Sequence, residues 1–432
     1  MKNISLFKRS LFVAAFAVSI LMAIGTVNFA QTAMPKPREE KLLNGLKVLM
    51  WSDANAKDVS VKIRIHAGSA FDPQGKEGVM KLVSDNIFPN EAARDFFRED
   101  LGGGLEIITN YDYIQINASS TPANDDFLTM IETLAAALAD PTINKPTTAK
   151  LKEILLAQVK QLESDPAYVA DQAAGKRLFG NFPYGRPQFG TSESIAKIDF
   201  ADLLDAKQRF LTADNATVTI SGNFDKALGF RAVRRYFGAW LKSDKRVPST
   251  FRQPDPPPVG LLTVASPKAI VSAIRFAVRG TSRSDKNFAA SKLYASILEN
   301  RLRSRVPVAL SNMVFARAEE HTLPGVILIG FSASKDDIGT GNGKVDGNEL
   351  IAKALVGQVT EAEFQTAKLA FSSEWAKRDV QAFWLDIDTF KTGEANAEAK
   401  IVDAVTLTDV RTFAEKIQKL PLVSVLINTP TN

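Results

Sequence analysis

The stretch Glu77-Gly78-Val79-Met80-Lys81-Leu82-Val83-Ser84-Asp85-Asn86-Ile87-Phe88 decides how this chain is read. Val79, Leu82, Val83 and Ile87 follow one another at steps of three, one and four, the spacing of a buried helical stripe. Lys81, Ser84 and Asp85 stand at i, i+3 and i+4, so they share another face of the same helix. Upstream, Val59 to Ile65 alternates apolar and polar residues, which predicts a sheet strand with one face buried. A glycine-containing loop joins strand and helix.

Moving toward the N-terminus, Leu42 to Met50 reads as two strands around the turn Asn44-Gly45, and residues 31–41 as a polar lead-in arm. Before them, Lys2, Lys8 and Arg9 precede an apolar run from Leu11 to Ile24 that is short for a membrane span. Small and polar residues follow up to Ala30. The order basic, apolar, small predicts a secretory signal peptide over residues 1–30, cut after Ala30 or retained as an anchor. Those three cations account for most of the net charge of +5, leaving about +2 (5 − 3) on the rest. A chain so close to neutral makes no electrostatic case for nucleic acid. No later run is long enough to cross a bilayer, so cleavage predicts an exported protein, periplasmic in a diderm bacterium.

A length of 432 residues favours two domains, and 45% hydrophobic residues suffice for packed cores. The absence of cysteine excludes disulfides, thiolate metal sites and cysteine nucleophiles. The two histidines are His66, expected at a strand end, and His321, expected in an exposed turn within Glu319-Glu320-His321.

Toward the C-terminus, a helix from Glu91 to Leu101 stops at Gly102-Gly103-Gly104. A phosphate loop needs a strand before it and a helix after it; here that order is reversed, which argues against one. Strands at Leu105–Thr109 and Tyr113–Ser119 lead to helices at Asn124–Ala139, Thr147–Glu163 and Ala167–Leu178. A loop rich in aromatics, glycine and proline, Phe179 to Pro187, precedes a helix at Phe200–Phe210, a strand at Ala216–Gly222 and a helix at Ala227–Trp240. Pro254, Pro256, Pro257 and Pro258 then stiffen a linker. Beyond it the order of strands and helices repeats. The predicted fold class is α+β: two similar α/β-layer domains, residues 42–245 and 259–432, joined by a Pro-rich linker over residues 246–258.

The motifs Asn44-Gly45-Leu46-Lys47-Val48, Ala67-Gly68-Ser69 with Asp72 and Gly75, and Leu101-Gly102-Gly103 occur in that order. Phe179-Gly180-Asn181-Phe182-Pro183-Tyr184-Gly185, Gly190-Thr191, Asn215 to Asp225 and Val359 to Phe364 follow. Together they resemble the pitrilysin/insulinase family of zinc peptidases, which includes the mitochondrial processing peptidases and their core-protein relatives. The resemblance covers nearly the whole chain after the signal segment, and it implies a duplicated two-domain fold.

Active members of that family carry His-x-x-Glu-His on the first helix, where two imidazoles hold zinc and the Glu takes a proton from zinc-bound water. The resemblance maps those positions onto Lys81, Ser84 and Asp85, a cation, a hydroxyl and a single carboxylate. A third ligand maps onto Lys160, with Glu153 seven residues before it, or by direct counting onto Leu162, with Glu163 beside it. The Arg and Tyr that hold substrate in active relatives map onto Arg303 or Arg305, with Leu310 or Asn312 where the Tyr belongs. Arg301, Arg303 and Arg305 also read as a solvated helix end. The implied protein has no catalytic residues, no metal ligands and no cofactor where active relatives hold zinc. Its implied partners are a zinc-bearing family subunit and extended peptides taken up at a sheet edge. A structural or assembly protein without a peptidase partner, or an active zinc endopeptidase with atypical ligands, are the alternatives.

Overall fold

The computed structural model describes residues 34–243, 251–265, 271–334, 336–339 and 343–428, so the predicted signal peptide lies outside the described residues. The first half runs β1 (Arg38–Lys41), β2 (Lys47–Ser52), β3 (Val59–Ile65), α1 (Val79–Asp85), α2 (Glu91–Glu99), β4 (Gly104–Thr109) and β5 (Ile114–Ser120). It continues through α3 (Asn124–Ala139), α4 (Lys145–Leu162), α5 (Pro166–Phe179), α6 (Ser192–Ala196), α7 (Phe200–Phe210), β6 (Ala216–Gly222) and α8 (Lys226–Phe237). The second half runs β7 (Leu261–Ala265), β8 (Val271–Arg279), α9 (Phe288–Arg303), β9 (Val314–Ala318), β10 (Val326–Ser334) and α10 (Gly347–Leu355). It ends with α11 (Glu361–Ala376), α12 (Val380–Phe390), α13 (Ala395–Ala399), α14 (Ile401–Ala404), α15 (Leu407–Gln418) and β11 (Val423–Asn428).

The two sheets have orders β1-β2-β6-β3-β5-β4 and β7-β11-β8-β10-β9. Without β1 they are the same order, with one parallel pair in each: β2 with β6, and β7 with β11. The repeat is thus one of topology, as the two-domain reading predicts. Each sheet buries its helix-side face in its own core. In β3 the fully buried Val61, Ile63 and Ile65 face the helices of the first half, because side chains alternate along a strand.

The opposite faces are covered reciprocally. Helix α5 of the first half packs on β8 and β11, where Ala170, Ala174 and Leu178 meet Ala273, Ala277, Val423 and Val425. Alanines on the helix let it sit close to the strands. Helix α12 of the second half lies against β6 and neighbouring strands of the first sheet, through polar groups. Lys62 pairs with Asp379 at 2.7 Å, Arg64 with Asp386 at 2.6 Å, and Gln381 donates to the Thr219 carbonyl at 3.1 Å. With a helix of each half serving as part of the other's sandwich, Pro35–Asn432 is one compact unit.

Several expectations change. Within the lead-in arm, Arg38–Lys41 is strand β1, paired antiparallel with β2 so that Arg38 lies opposite Met50. The Asn44-Gly45 turn is present, but the strands begin outside Leu42 and Leu43. Asn44 donates through Nδ2 to the carbonyls of Phe237 and Trp240, anchoring the turn on α8. Helices α12, α13 and α14 lie where the sequence pattern predicts no element. Helix α12 hides from pattern reading because its buried side includes Gln381, Asp386 and Thr389. The solvated-end reading fails for Arg301, which is buried and pairs with Glu363 at 2.6 Å; it holds for the exposed Arg303 and Arg305.

His321 is the sharpest correction. It lies in no exposed turn but is 5% exposed between the halves. Its Nδ1 is 2.9 Å from Asp112 and its Nε2 3.2 Å from Glu319, and its ring stacks on Tyr184 with centroids 4.2 Å apart. His66 does end β3; its backbone N–H donates to the Asn215 carbonyl at 2.9 Å, and its partly exposed ring contacts the hydroxyls of Thr217 at 3.0 Å and Thr389 at 3.2 Å. Burial pushes its pKa down to about 4, with Asp388 opposing, so it is neutral near pH 7.

Candidate functional site

Helix α1 begins at Gly78, whose φ of 108° only glycine adopts readily and which offers no side-chain cap. Asp72 supplies the cap from the preceding turn. Its carboxylate accepts from the N–H groups of Gly78 at 2.8 Å and Met80 at 2.7 Å. Arg186 in turn donates to the Asp72 carbonyl at 2.7 Å. Burial raises the Asp72 carboxyl to about 7, against the pull of those two N–H donors. The loop before α6 packs backbone against backbone here, since a Cβ on Gly190 would lie 2.1 Å from the Glu77 carbonyl oxygen. The stripe predicted from spacing is buried: Val79, Leu82, Val83 and Ile87 all belong to the first core.

The second face of α1 is closed on itself. Lys81 Nζ bonds both Asp85 oxygens, at 2.5 and 2.7 Å, one helical turn apart. Both side chains are about a quarter exposed (21% and 26%). Ser84 is fully buried, donates to the Lys81 carbonyl at 2.7 Å and lies 2.6 Å from the Thr109 hydroxyl at the end of β4. Zinc does not fit this face. The ammonium sits where a neutral imidazole is needed, its charge already paired with the one carboxylate, and a serine hydroxyl is no general base at neutral pH. Among the described residues no group of three or more His, Cys, Asp or Glu is arranged to hold a metal ion.

Beside Lys81 lies a cavity of about 430 Å³ between α1, α4 and the loop before α6. Apolar Leu155, Val159, Leu162 and Phe189 line it together with Lys81, Gln158, Gln161 and Asp165. Of the residues weighed as a third ligand, Leu162 faces this cavity. Glu153 and Lys160 are exposed on α4. Glu163 is engaged elsewhere, accepting from Ser192 N–H at 3.1 Å and its hydroxyl at 2.8 Å, and lines a neighbouring cavity with Glu77 and Tyr168. Arg303 pairs with Glu299 on its own helix, and Arg305 donates to the Arg301 carbonyl at 2.6 Å. Leu310 is half-buried and Asn312 exposed in the turn that follows.

Strand β4 ends the first sheet at this site. Asn110 N–H donates to the Tyr113 carbonyl, so in the β4–β5 ladder the residues paired by hydrogen bonds are 108, 106 and 104. The N–H and C=O groups of Leu105, Ile107 and Thr109 therefore point away from β5. The Thr109 carbonyl is taken by Gln188 Nε2 at 2.5 Å. At that edge no other backbone group among the described residues bonds Leu105 or Ile107. Sequence reading missed Gln158, Gln188 and Phe189 because their role depends on which helix and loop lie beside α1. The nearest signal was the aromatic, glycine and proline loop just before Gln188.

The duplicated sandwich with a helix bearing paired polar positions beside a free strand edge is that of a metallopeptidase-like two-domain chain. Family models bear this out. Residues 47–192 match the model described as Insulinase (Peptidase family M16), and residues 197–371 the model described as Peptidase M16 inactive domain. The chain belongs to the insulinase (pitrilysin) family. It is 21% identical over 209 residues to the uncharacterized zinc protease YmxG of Bacillus subtilis, covering 47% of this chain and 50% of that one. It is 25% identical over 187 residues to a mitochondrial cytochrome b-c1 complex reductase subunit of Candida albicans, covering 43% and 40%. The chain thus spans about half the length of the curated relatives it matches. In fold it is similar to a peptidase M16 inactive domain from Pseudomonas fluorescens, with TM-score 0.79 at 18% identity over 92% of this chain and 98% of that one. It is also similar to the periplasmic protease PqqL of Escherichia coli, with TM-score 0.68 at 16% identity over 92% and 48%.

Proposed function

We propose that this chain is a non-catalytic, exported member of the insulinase family that holds extended peptides as the companion of a zinc-bearing family subunit. The observation that carries the reading is the Lys81–Asp85 ion pair, with Ser84 committed to Thr109, on the face where active relatives place zinc ligands and base. Such a face cannot activate water. What it leaves intact is the neighbouring edge of β4, where Leu105 and Ile107 offer N–H and C=O groups for an added strand. Relatives named as zinc proteases supply the chemistry expected of the partner, and the reductase subunit of Candida albicans is, by name, part of a complex. The predicted signal peptide and the periplasmic PqqL support export to the periplasm. No helix among the described residues is long and apolar enough to cross a membrane.

The test is purification of the chain from its native host, with zinc analysis, a peptide-cleavage assay and identification of what co-purifies. The expected result is no stoichiometric zinc, no turnover by the chain alone, and recovery of a family member with an intact His-x-x-Glu-His. Stoichiometric zinc, with turnover that disappears in Asp85→Ala, overturns the reading.

A further inference from the structure

A Pro-rich strap, residues 251–260, carries the chain from the first half to the second along a cavity of about 880 Å³, whose other wall is the end of α5 and the loop after it. We infer that this cavity binds a small amphipathic anion, an oxyanion head on an apolar body. It shares no lining residue with the cavity beside Lys81, and the inference does not rest on the peptide-holding reading.

The sequence dictates the strap. Pro254, Pro256, Pro257 and Pro258 hold it extended, with no helix or strand from Phe251 to Val259. Phe251, Pro254 and Pro257 are half-buried and the residues between them exposed, the period of three of a polyproline II helix with one edge against the body. Arg177 Nη2 ties it down by donating to the carbonyls of Val259 at 2.8 Å and Gly260 at 3.0 Å, and Arg279 by donating to that of Asp255. Aromatic rings supply the apolar wall. Phe179 stacks on Phe182 with centroids 5.7 Å apart, and Phe251 meets Phe182 edge-on at 6.3 Å. Charge then decides the class of ligand. The described lining holds three cations, Lys176, Arg177 and Arg252, and one carboxylate, Asp255. Arg252 and Asp255 lie 3.6 Å apart and are both exposed, so they offset each other. Lys176 and Arg177 have only neutral acceptors among the described residues: Asn181 Oδ1 at 2.6 Å for Lys176, backbone carbonyls for Arg177. Both sit in the last turn of α5, whose dipole end offers about half an elementary charge and leaves most of theirs uncompensated. Arg177 also keeps a buried Nε without an acceptor, which is costly until a partner arrives. An oxyanion answers the two cations, and the rings and prolines take an apolar body out of water. A volume of about 880 Å³ suits a small organic molecule, whose sites span about 300–1,000 Å³.

The experiment titrates the full chain calorimetrically with probes that share one ring system and differ in the head: 1-naphthoate, 1-naphthamide and 1-naphthylmethylammonium. The pair 1-naphthyl phosphate and inorganic phosphate tests the need for an apolar body. The expected result is 1-naphthoate binding at least tenfold more tightly than the amide, no binding of the ammonium, and 1-naphthyl phosphate binding at least tenfold more tightly than inorganic phosphate. Lys176→Gln should weaken 1-naphthoate at least fivefold and leave the amide unchanged. Phe251→Ala should weaken both. Lys176 is exposed, so its variant keeps the test open if Phe251→Ala does not fold. Equal affinity for the three naphthalenes, binding of none of the probes, or a preference for the anion that survives both substitutions overturns the inference. Inorganic phosphate binding as tightly as its naphthyl ester overturns the amphipathic part. Sedimentation with phosphatidylglycerol vesicles, without binding of soluble 1-naphthoate, overturns the inference in favour of a membrane surface.

Discussion

The buried His321 ties the stability of this chain to pH. Its imidazole lies between Asp112, from the first half, and Glu319, and stacks on Tyr184, whose hydroxyl donates to the other Asp112 oxygen at 2.7 Å. Tyr111 meets the same ring edge-on, and Arg317 lies 3.3 Å from Glu319. Burial works against the charged imidazole, but hydrogen bonds to Asp112 and Glu319 overcome it and raise His321 from 6.5 to about 9. The folded state therefore binds a proton that the unfolded chain releases near pH 6.5. The stabilisation is fully present below pH 6.5 and is lost as pH rises through about 9. At 1.36 kcal/mol per pH unit, the gap corresponds to ~3 kcal/mol. His321→Gln keeps a polar side chain but cannot carry the charge. Urea unfolding of wild type and variant at half-unit steps from pH 6 to 10 should show wild type ahead by most of that amount at pH 6. The lead should disappear by pH 10. Tyr111 and Tyr184 are pushed above the ordinary tyrosine range by burial, so they do not confuse this window. A difference between the two proteins that stays constant across the range refutes the reasoning.

Two further perturbations separate buried from partly solvated ion pairs. Asp386→Ala leaves Arg64 and Arg378, both of which pair with Asp386 between the halves, facing each other without their carboxylate. Chemical denaturation should show a loss of about 3–5 kcal/mol, the cost of breaking a buried pair, and a loss below 1 kcal/mol would place the pair in water. For Lys81 and Asp85, each about a quarter exposed, a double-mutant cycle to alanine should give a coupling of about 1 kcal/mol or less. A coupling of several kcal/mol would make the pair a structural element rather than a solvated helix-face pair.

What was legible without coordinates was whatever depends on local periodicity. The stripe Val79, Leu82, Val83 and Ile87, the alternation in β3 and the helix stop at the triple glycine all appear as expected. Gly103 N–H donates to the Phe97 carbonyl at 2.8 Å, which closes α2. That Lys81, Ser84 and Asp85 share one face of α1 was likewise legible from their spacing. Which residue of α4 lies nearest that face was not legible, because helical counting leaves both Lys160 and Leu162 open. Only the packing of α4 against α1 shows that Leu162 lines the cavity with Lys81.

The sequence by itself determined the helix-backed, two-sheet architecture, since strand alternation and helical stripes follow from residue type and spacing within each element. Tertiary structure alone decided how the halves are joined. His321, Arg301 and helix α12 looked exposed or shapeless in sequence because charged and polar residues normally mark solvent. Their partners lie far along the chain: Asp112 for His321, Glu363 for Arg301, and Arg64 and Thr219 for α12. Burial of such groups is favourable only when those distant partners are in place. The pocket beside Lys81 belongs to the same class, being a space bounded by three segments that meet only in the folded chain.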